Sequence, residues 1–321
     1  MSLCSFFLIR ICWLFIFGSS ISTGPAATNV QANELGKIPV LEYHMIQPAE
    51  TRWGRSVANF RRDLETLYDE GYRPIAVRDF VDGRIDLPAG GRPMILTFDD
   101  SSPGQMRYLA GSRIDPDCAV GILLDFHRKH PDFPLKAIFF VLPEAKEPNK
   151  LFGQPEFEKQ KLNELVRLGF ELGNHTQWHA NLAKFSAAVV QKQLALAQDG
   201  VGRLVPGYRL TALSLPLGQW PRDPELAVSG SYKGIEYHND AVFLVAGGPA
   251  RSPFDLNCRF TSLPRIQVTG SELPRWLKYF RTHPDEVFVC DGDPSRVTFP
   301  ASQLPRFAKS RFPRLQVAPT N

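Results

Sequence analysis

Cysteine is scarce in this chain, and its spacing excludes several kinds of site. The 321 residues include five cysteines, of which Cys4 and Cys12 lie in an apolar N-terminal stretch. Cys118, Cys258 and Cys290 form an odd-numbered set without CxxC spacing. These features argue against a zinc–thiolate site and against a disulfide framework. One bridge among the three is compatible with an oxidising compartment, and the sequence does not choose the pair.

The sequence also has little excess of positive or negative charge. The formal net charge is +4, and the body of the chain has no concentrated basic stripe, so we predict no nucleic-acid partner. The densest basic stretch is the segment 301–321, which contains Arg306, Lys309, Arg311 and Arg314. We expect this segment to be a solvated basic C-terminal tail, with attraction to an anionic envelope or glycan as the alternative.

Long apolar runs are confined to the N-terminus. Residues 3–18 are apolar apart from Ser5 and Arg10, and small residues follow them. The uninterrupted part, 11–17, is about half as long as a bilayer span requires. This pattern predicts a secretory signal peptide over residues 1–32, and the alternative is an uncleaved membrane anchor. Either reading places the protein in the periplasm, the cell envelope or the medium, with membrane contact only through this segment.

Beyond residue 37 the sequence alternates between strand and helix patterns. The composition, with 43% apolar and 22% charged residues, is typical of a globular protein with a sizeable core. The predicted strands are 37–43, 72–77, 92–98, 135–142, one beginning at 170–173, 209–215, 241–245 and 287–291. The predicted helices are 57–70, 119–129, 157–168, 187–199 and 272–282.

Such alternation predicts a parallel sheet with helices outside it, closed as a (β/α) barrel or open and doubly wound. No glycine-rich phosphate loop follows the first strand, which argues against a dinucleotide-binding sheet. We therefore predict a barrel. In barrels the functional residues lie at the carboxyl ends of the strands.

Two carboxylates follow the predicted strand 92–98. Asp99 and Asp100 are adjacent, and neighbouring carboxylates repel each other unless a cation or a proton intervenes. A metal ion removes the conflict when one carboxylate is a ligand and the other is free to act as a base. The alternative is a helix cap or a turn, where Asp is common.

Two histidines follow the strand that begins at 170–173. His175 and His179 are four residues apart, which on a helical turn places both side chains on one face, near enough to share a metal. Alone they are equally well explained as polar residues at a strand end. One carboxylate and two imidazoles leave coordination positions open, as in catalytic metal sites. Water bound there has a lowered pKa, and a neighbouring carboxylate can take its proton.

These residues stand in two short motifs, TFDD at 97–100 and HTQWH at 175–179. With them the chain resembles the polysaccharide deacetylases of the NodB-homology type, carbohydrate esterase family four, which carry TFDD and H-[ST]-x-x-H. The opening pair Tyr43 and His44 also resembles the Tyr-His near the first strand of many members. We place the corresponding domain at residues 37–300.

The resemblance implies a distorted (β/α) barrel of about seven parallel strands. It implies that Asp99 is the general base and that Asp100, His175 and His179 bind one divalent metal ion. The ion would be zinc, with cobalt or nickel as alternatives. The implied reaction is hydrolysis of an N- or O-acetyl group on a sugar.

The chain departs from the family at its third motif, which normally reads Arg-x-Pro-aromatic-Gly. The corresponding segment 214–218 reads SLPLG, so the arginine that orients the base is missing. Arg209 and Arg222 are the sequence candidates for its role.

The late Leu-x-His motif, whose histidine is the general acid, has no match, and 266–268 reads IQV. His44, His238 and His283 remain as candidates, and His44 is preferred because it lies at a strand end. A missing acid is less damaging to ester than to amide hydrolysis. The departures therefore predict a preference for O-acetyl esters.

We expect the substrate to be an acetylated polysaccharide or oligosaccharide, contacted by Tyr43, Pro216 and Trp220. Trp53 and Trp178 are further aromatic candidates for stacking on sugar rings, although core packing is the alternative for each tryptophan. Two other functions stay open: a degenerate relative that binds metal and glycan without turnover, and a metal-dependent amidase acting on small amides.

Overall fold

A computed structural model describes residues 31–320. The predicted signal peptide or anchor therefore lies outside the described residues, apart from its last two positions. Within the described part, no helix is both long enough and apolar enough to cross a membrane.

Seven α-helices within residues 31–320 surround the sheet, and their apolar faces pack on it. The helix α1 illustrates the cause: Ser56 caps it by accepting a bond from the Asn59 amide at 3.2 Å, and Phe60, Leu64 and Leu67 recur on its buried face. The helices are α1 Val57–Asp69, α2 Val77–Asp82, α3 Ala119–Lys129, α4 Glu158–Arg167, α5 Ala187–Leu204, α6 Glu225–Val228 and α7 Glu272–Thr282.

Eighteen strands are present in the described chain, most of them short. In chain order they are β1 Lys37–Ile38, β2 Val40–Tyr43, β3 Met45–Gln47, β4 Gly54–Ser56, β5 Tyr72–Pro74, β6 Arg92–Phe98, β7 Tyr108–Leu109, β8 Arg113–Ile114, β9 Ile138–Val141, β10 Glu171–Asn174, β11 Ala212–Ser214, β12 Ser229–Tyr232, β13 Ile235–His238, β14 Ala241–Phe243, β15 Ala250–Arg251, β16 Ile266–Gln267, β17 Arg296–Pro300 and β18 Gln316–Thr320.

The main sheet is parallel throughout and has the order β14-β11-β10-β9-β6-β2-β16, with β5 paired to the first half of β6. Its two ends approach each other through a single bridge between Phe243 and Leu263. The seven strands of this path form the distorted (β/α) barrel that the sequence predicts, so the predicted fold is confirmed.

Side chains alternate across the sheet and so define two cores. On β2, Leu41 and Tyr43 pack under the surrounding helices. Val40 packs with Ile95 and Phe140 inside the barrel. The same alternation turns Glu42 inward, and it places the residues that follow the strands at the barrel mouth.

Two predicted elements differ in the structure. The segment 287–291 is not a ladder strand, because Val287 and Val289 make only isolated bridges to Lys37 and Asn33. The expectation of a solvated tail is also wrong. The strand β18 pairs in parallel with β17, and Phe307 is 7% exposed.

An ion pair ties this C-terminal segment to the barrel. Arg306 donates to Asp255 through Nε at 3.1 Å and Nη2 at 2.6 Å. The Asp255 side chain is fully buried, while that of Arg306 is 41% exposed. A buried carboxylate must be paired, which explains why this arginine is ordered against the fold. The boundary at residue 300 stays a prediction, but the packing shows that the chain beyond it contributes to the same core.

We predict that Arg306→Ala lowers the free energy of unfolding by about 1–2 kcal/mol, because Asp255 loses its best partner. Lys309→Ala is the control, since Lys309 is an exposed cation of the same segment and its loss is expected to change stability by less than about 0.5 kcal/mol. Urea denaturation of both variants measures the difference. Equal effects would contradict the assigned contact.

Candidate metal centre and active site

The two motifs meet at the barrel mouth. Asp99 and Asp100 follow β6, and His175 follows β10, which lies one strand beyond β9 in the sheet. The Nε2 atoms of His175 and His179 are 3.3 and 3.4 Å from Oδ1 of Asp100. The structure thus brings together the three residues that the sequence predicts as metal ligands.

Their spacing fits a bound metal ion. Ligands about 2.0–2.1 Å from a tetrahedral zinc ion lie about 3.4 Å from one another, which agrees with both measured distances. The donor atoms all lie within 4.8 Å of each other. The three residues leave one side of the cluster to solvent, since the side chains of Asp100 and His179 are 24% and 33% exposed.

The orientation of His175 supports the same assignment. Its Nδ1 donates to the Ser214 carbonyl oxygen at 2.9 Å, and its side chain is 2% exposed. This bond fixes the ring and leaves Nε2 free as a ligand, which is how metal-binding histidines are usually held.

The segment that carries the histidines is a turn, which corrects the expectation of a helical turn. Thr176 and His179 have positive φ values of 69° and 67°, a conformation that no helix contains. The turn is stabilised by bonds from the Thr176 amide to Asn174 Oδ1 at 2.8 Å and from the Ala180 amide to Thr176 Oγ1 at 2.9 Å. Asp100 has φ of 74°, so two of the three ligands adopt a left-handed backbone that is uncommon for such residues.

Asp99 is held by a buried arginine that the sequence analysis did not identify. Arg265 directly precedes β16 and is 0% exposed. Its Nη1 and Nη2 donate to the two oxygens of Asp99 at 2.8 and 2.7 Å. Ser214 adds a third bond, from Oγ to Asp99 Oδ2 at 2.8 Å. The carboxylate is therefore fixed by a bidentate fork of the kind that arginine favours.

Arg265 thus occupies the role for which Arg209 and Arg222 were considered. Arg209 lines a surface cavity with Gln198 and Tyr208, and Arg222 is exposed. The position of Arg265 beside Asp99 becomes evident only from the pairing of the strands. Because β16 pairs with β2 and Gln267 lies opposite Glu42, residue 265 enters the barrel beside the site, although 166 residues separate it from Asp99.

The arginine also sets the charge of the base. Burial alone raises the pKa of Asp99, but the Arg265 guanidinium outweighs it and holds the pKa below its usual range. Asp99 is consequently an anion with a fixed orientation, as a general base requires.

The three histidine candidates for the general acid lie in different places. His44 lines the same cavity as Asp99, Asp100 and His175, and burial lowers its pKa. His238 is exposed and faces Asp240. His283 follows α7, where it stacks on Tyr279. The geometry therefore leaves His44 as the candidate at the site.

The residues predicted to contact substrate are buried or packed against the core. Tyr43 is 1% exposed and donates to Asp63 at 3.2 Å, so the expectation that it contacts substrate is wrong. Its neighbours in the strand face the barrel interior, and alternation turns Tyr43 the other way. Pro216 is buried, and Trp220 packs against the cluster around Leu213. Leu217, which the sequence analysis missed, is 57% exposed and lines the cavity.

Buried polar bonds hold the loops around the site. Ser101 Oγ accepts from the Leu142 amide at 3.1 Å and donates to the Asn149 carbonyl at 2.8 Å. Gly104 passes so close to Ile46 that a Cβ atom there would lie 1.8 Å from its carbonyl oxygen. Glycine is required at this crossing, and the loops after β2 and β6 are consequently fixed to each other.

Three cavities adjoin at Asn149. The cavity that contains the ligands has a volume of about 290 Å³. Cavities of about 410 and 590 Å³ are also lined by Asn149, and the larger one includes Trp178 and His179. Trp53 lines the central cavity, and the two tryptophans are 40% and 43% exposed. The site thus continues into open space on more than one side, with an aromatic side chain at each of two edges.

The Asp-His-His cluster and the clamped carboxylate thus lie together at the mouth of a parallel (β/α) barrel, where the functional residues of such barrels are found. Residues 86–232 match the polysaccharide deacetylase family. The match confirms, for this segment, the family resemblance that the two motifs carry. The family supports a hydrolase that acts on acetyl groups.

Solved structures agree with the fold. A deacetylase from Streptococcus pyogenes in complex with acetate is 20% identical, with a TM-score of 0.56, over 76% of this chain and 97% of that one. A polysaccharide deacetylase from Bacillus cereus is 18% identical, with a TM-score of 0.56, over 75% and 68%. IcaB from Ammonifex degensii is 18% identical, with a TM-score of 0.53, over 75% and 97%. No curated protein matches the chain.

We predict that Arg265→Leu lowers the free energy of unfolding by about 3–5 kcal/mol, because it leaves a buried carboxylate without its cation. Arg209→Leu removes the arginine first considered for this role, and we expect a change of less than about 0.5 kcal/mol from it. Chemical denaturation of the two variants makes the comparison. A large loss in Arg209→Leu with little loss in Arg265→Leu would refute the assignment.

Proposed function

We propose that the protein is a metal-dependent hydrolase that removes acetyl groups from a polysaccharide outside the cytoplasm. The proposal rests on one observation: the cluster of Asp100, His175 and His179 lies beside the carboxylate of Asp99, which Arg265 holds in place. A protein that only bound metal would need the cluster but not a buried arginine that fixes a neighbouring base.

The chemistry follows from this arrangement. A divalent ion such as zinc, held by the three ligands, would polarise the acetyl carbonyl and lower the pKa of water beside it. Asp99, fixed by Arg265 and Ser214, accepts the proton of the attacking water. His44, which lines the same cavity, donates a proton to the leaving group. Leu217 and Val245 line that cavity and offer an apolar surface to the acetyl methyl group.

The position of His44 bears on the expected preference for esters, which was inferred from a missing general acid. His44 lines the cavity and has a 14% exposed side chain, so a candidate acid is present in the site. We therefore propose that amides are substrates as well as esters.

The cavities favour a polymeric substrate over a small amide. A small molecule needs only the central space of about 290 Å³, whereas the two adjoining cavities have room for neighbouring sugars. Exposed tryptophans at two edges suit the apolar faces of sugar rings. The location outside the cytoplasm rests on the N-terminal sequence and agrees with a glycan of the cell envelope.

We predict that Asp99→Asn lowers acetate release from an acetylated glycan by about 10²–10⁴-fold, the usual contribution of a general base, while one equivalent of metal is retained. Asp63→Asn is the matched control. Asp63 is also buried and bonded to an arginine, Arg55, at 2.8 Å, so its variant reproduces the loss of stability without touching the base.

Acetate release, bound metal and thermal unfolding are measured on the same preparations. Chelation is expected to abolish release by the parent, and zinc is expected to restore it. An Asp99→Asn variant that keeps full activity would refute its role. A parent that binds one equivalent of metal but releases no acetate from any glycan would favour a degenerate binder.

We predict that Trp53→Ala and Trp178→Ala each raise KM for an acetylated oligosaccharide about fivefold, the equivalent of about 1 kcal/mol of stacking. Monosaccharide turnover should change little, because no neighbouring sugar is bound. Leu304→Ala, which alters another exposed apolar side chain that is 50% exposed, is the control. Equal effects on both substrates would argue for a small-molecule amidase.

A further inference from the structure

A further cavity lies at the seam of the barrel, where the two ends of the main sheet meet. It has a volume of about 330 Å³, and its lining includes Lys37, Arg251, Arg259 and Trp276. Leu263 also lines it and forms the bridge that closes the seam. This seam cavity has the size of a sugar site, since pockets for small molecules begin at about 300 Å³.

The charge of the seam cavity has one sign. Three lining side chains are cations, and none of the described residues that line it is an Asp or a Glu. Arg259 is exposed, and its side chain makes no ion pair or hydrogen bond with any residue in 31–320. Lys37 is paired with Glu286, and Arg251 is 3.4 Å from Asp255. Neither of these acids lines the cavity, so its field attracts anions.

Strand pairing brings two of the cations together. The strands β1 and β15 are antiparallel, and Lys37 lies directly opposite Arg251 in their register. Like charges at opposite positions destabilise a two-stranded ladder. Both residues line the seam cavity, and an anion bound there therefore reduces the repulsion between them.

The loop that carries Arg259 is held firmly to the fold. Cys258 is 3% exposed, and its amide donates to the Asp255 carbonyl oxygen at 3.0 Å. Arg311, from the C-terminal segment, donates to the carbonyl oxygens of Pro253 and Cys258 at 2.9 and 3.1 Å. A site on a fixed backbone loses less entropy when it binds, so this loop presents its arginine in a preformed place.

Trp276 forms an aromatic wall of the seam cavity. Its ring is partly exposed and lies against Gly248, where a Cβ atom would come within 2.7 Å of it. Gly248 has φ of 94°, so glycine is required there by backbone and by space. An aromatic ring beside cations suits a sugar with a negative charge, because the ring contacts the apolar face and the cations bind the charged group.

The seam cavity is close to the proposed active site along the chain. Val245 lines the central cavity, and Gly247 lines the seam cavity. Two residues of extended chain span at most about 7 Å. The residue between them is Ala246, so no large side chain stands on this rim. A polymer in the central cavity consequently has a short route to the cations.

We propose that the seam cavity binds a sugar that carries a carboxylate or a phosphate group, with Arg259 bonded to that group and Trp276 against the ring. The fork of the guanidinium matches both kinds of group. The site itself does not depend on the proposed deacetylase function. What rests on that function is a further consequence: the acetylated polysaccharide contains acidic sugars close to its acetylated ones.

Calorimetric titration of the purified, metal-loaded protein at low ionic strength tests the site. The probes are a short oligosaccharide of uronic acids, a neutral oligosaccharide of the same length, a sugar phosphate and inorganic phosphate. We expect an acidic sugar to bind at least tenfold more tightly than the neutral oligosaccharide and inorganic phosphate, and to weaken as salt is added. The tighter of the two acidic probes identifies the charged group.

Arg259→Ala removes the unpaired cation and should fold like the parent, since its side chain is exposed. We expect it to weaken binding of the acidic sugar about tenfold, the usual effect of losing a hydrogen bond to a charged group. Arg78→Ala is the matched control. Arg78 is also exposed, and its amide bonds to Glu171 at the start of β10, the end of the strand away from the mouth. Its loss removes the same charge, and affinity should stay within twofold.

Three outcomes of the titrations would overturn the proposal. Equal affinity for the acidic and neutral oligosaccharides would exclude a role for the charge. Inorganic phosphate that binds as tightly as the acidic sugars would exclude a sugar site. Binding of acidic sugar that is unchanged in Arg259→Ala would place the ligand elsewhere, for example on the metal ion.

Acetate release separates this site from the proposed function. On an acetylated glycan that contains acidic sugars, Arg259→Ala should raise KM about tenfold with kcat unchanged. On a neutral acetylated glycan its KM should equal that of the parent. Equal changes on both glycans would contradict the inferred substrate class. A parent that binds acidic sugar through Arg259 but releases no acetate would refute the deacetylase function and leave the site in place.

Discussion

The candidate active site depends on one buried positive charge. Arg265 has no exposed surface, and it bonds to Asp99, Glu42, Ser214 Oγ, Thr97 Oγ1 and the Leu244 carbonyl oxygen. A guanidinium so far from water is tolerated only because carboxylates surround it. In return it keeps Asp99 ionised in a position where burial alone would favour the neutral acid. The orientation and charge of the proposed base thus follow from a single side chain.

The barrel makes this arrangement possible through strand register. The parallel pairing of β16, β2, β6, β9 and β10 brings their carboxyl ends to one mouth. Arg265 directly precedes β16, Glu42 lies on β2, Asp99 and Asp100 follow β6, and the histidines follow β10, while β9 lies between β6 and β10. Short polar loops with left-handed residues at Asp100 and His179 then aim the ligands at one point. Ser101 and Thr176, which lie beside the ligands in sequence, have positive φ as well.

Sequence patterns were sufficient for the parts of the molecule that are local. The buried run 92–98 and the acids directly after it predict a strand end with two carboxylates, and the structure shows both. Likewise, the spacing of His175 and His179 predicts their proximity, although their turn is not helical because Asn174 and Thr176 bond to the backbone. Tyr43 and Arg265 show the limit. Whether a strand residue faces inward or outward, and which arginine lies beside which acid, depend on pairing between distant segments.

An arginine therefore bonds to Asp99 in this chain although the third motif lacks one, and it comes from a different position in the sequence. An arginine near residue 214 would approach Asp99 from β11. Arg265 approaches from β16, which pairs with β2, and so it also meets Glu42. Through its bonds to both acids, Arg265 links Asp99 to β2, the strand that His44 follows. Because one guanidinium is shared, any change that shifts it must affect the charge of both acids, and the two sides of the proposed site are linked by electrostatics as well as by the sheet.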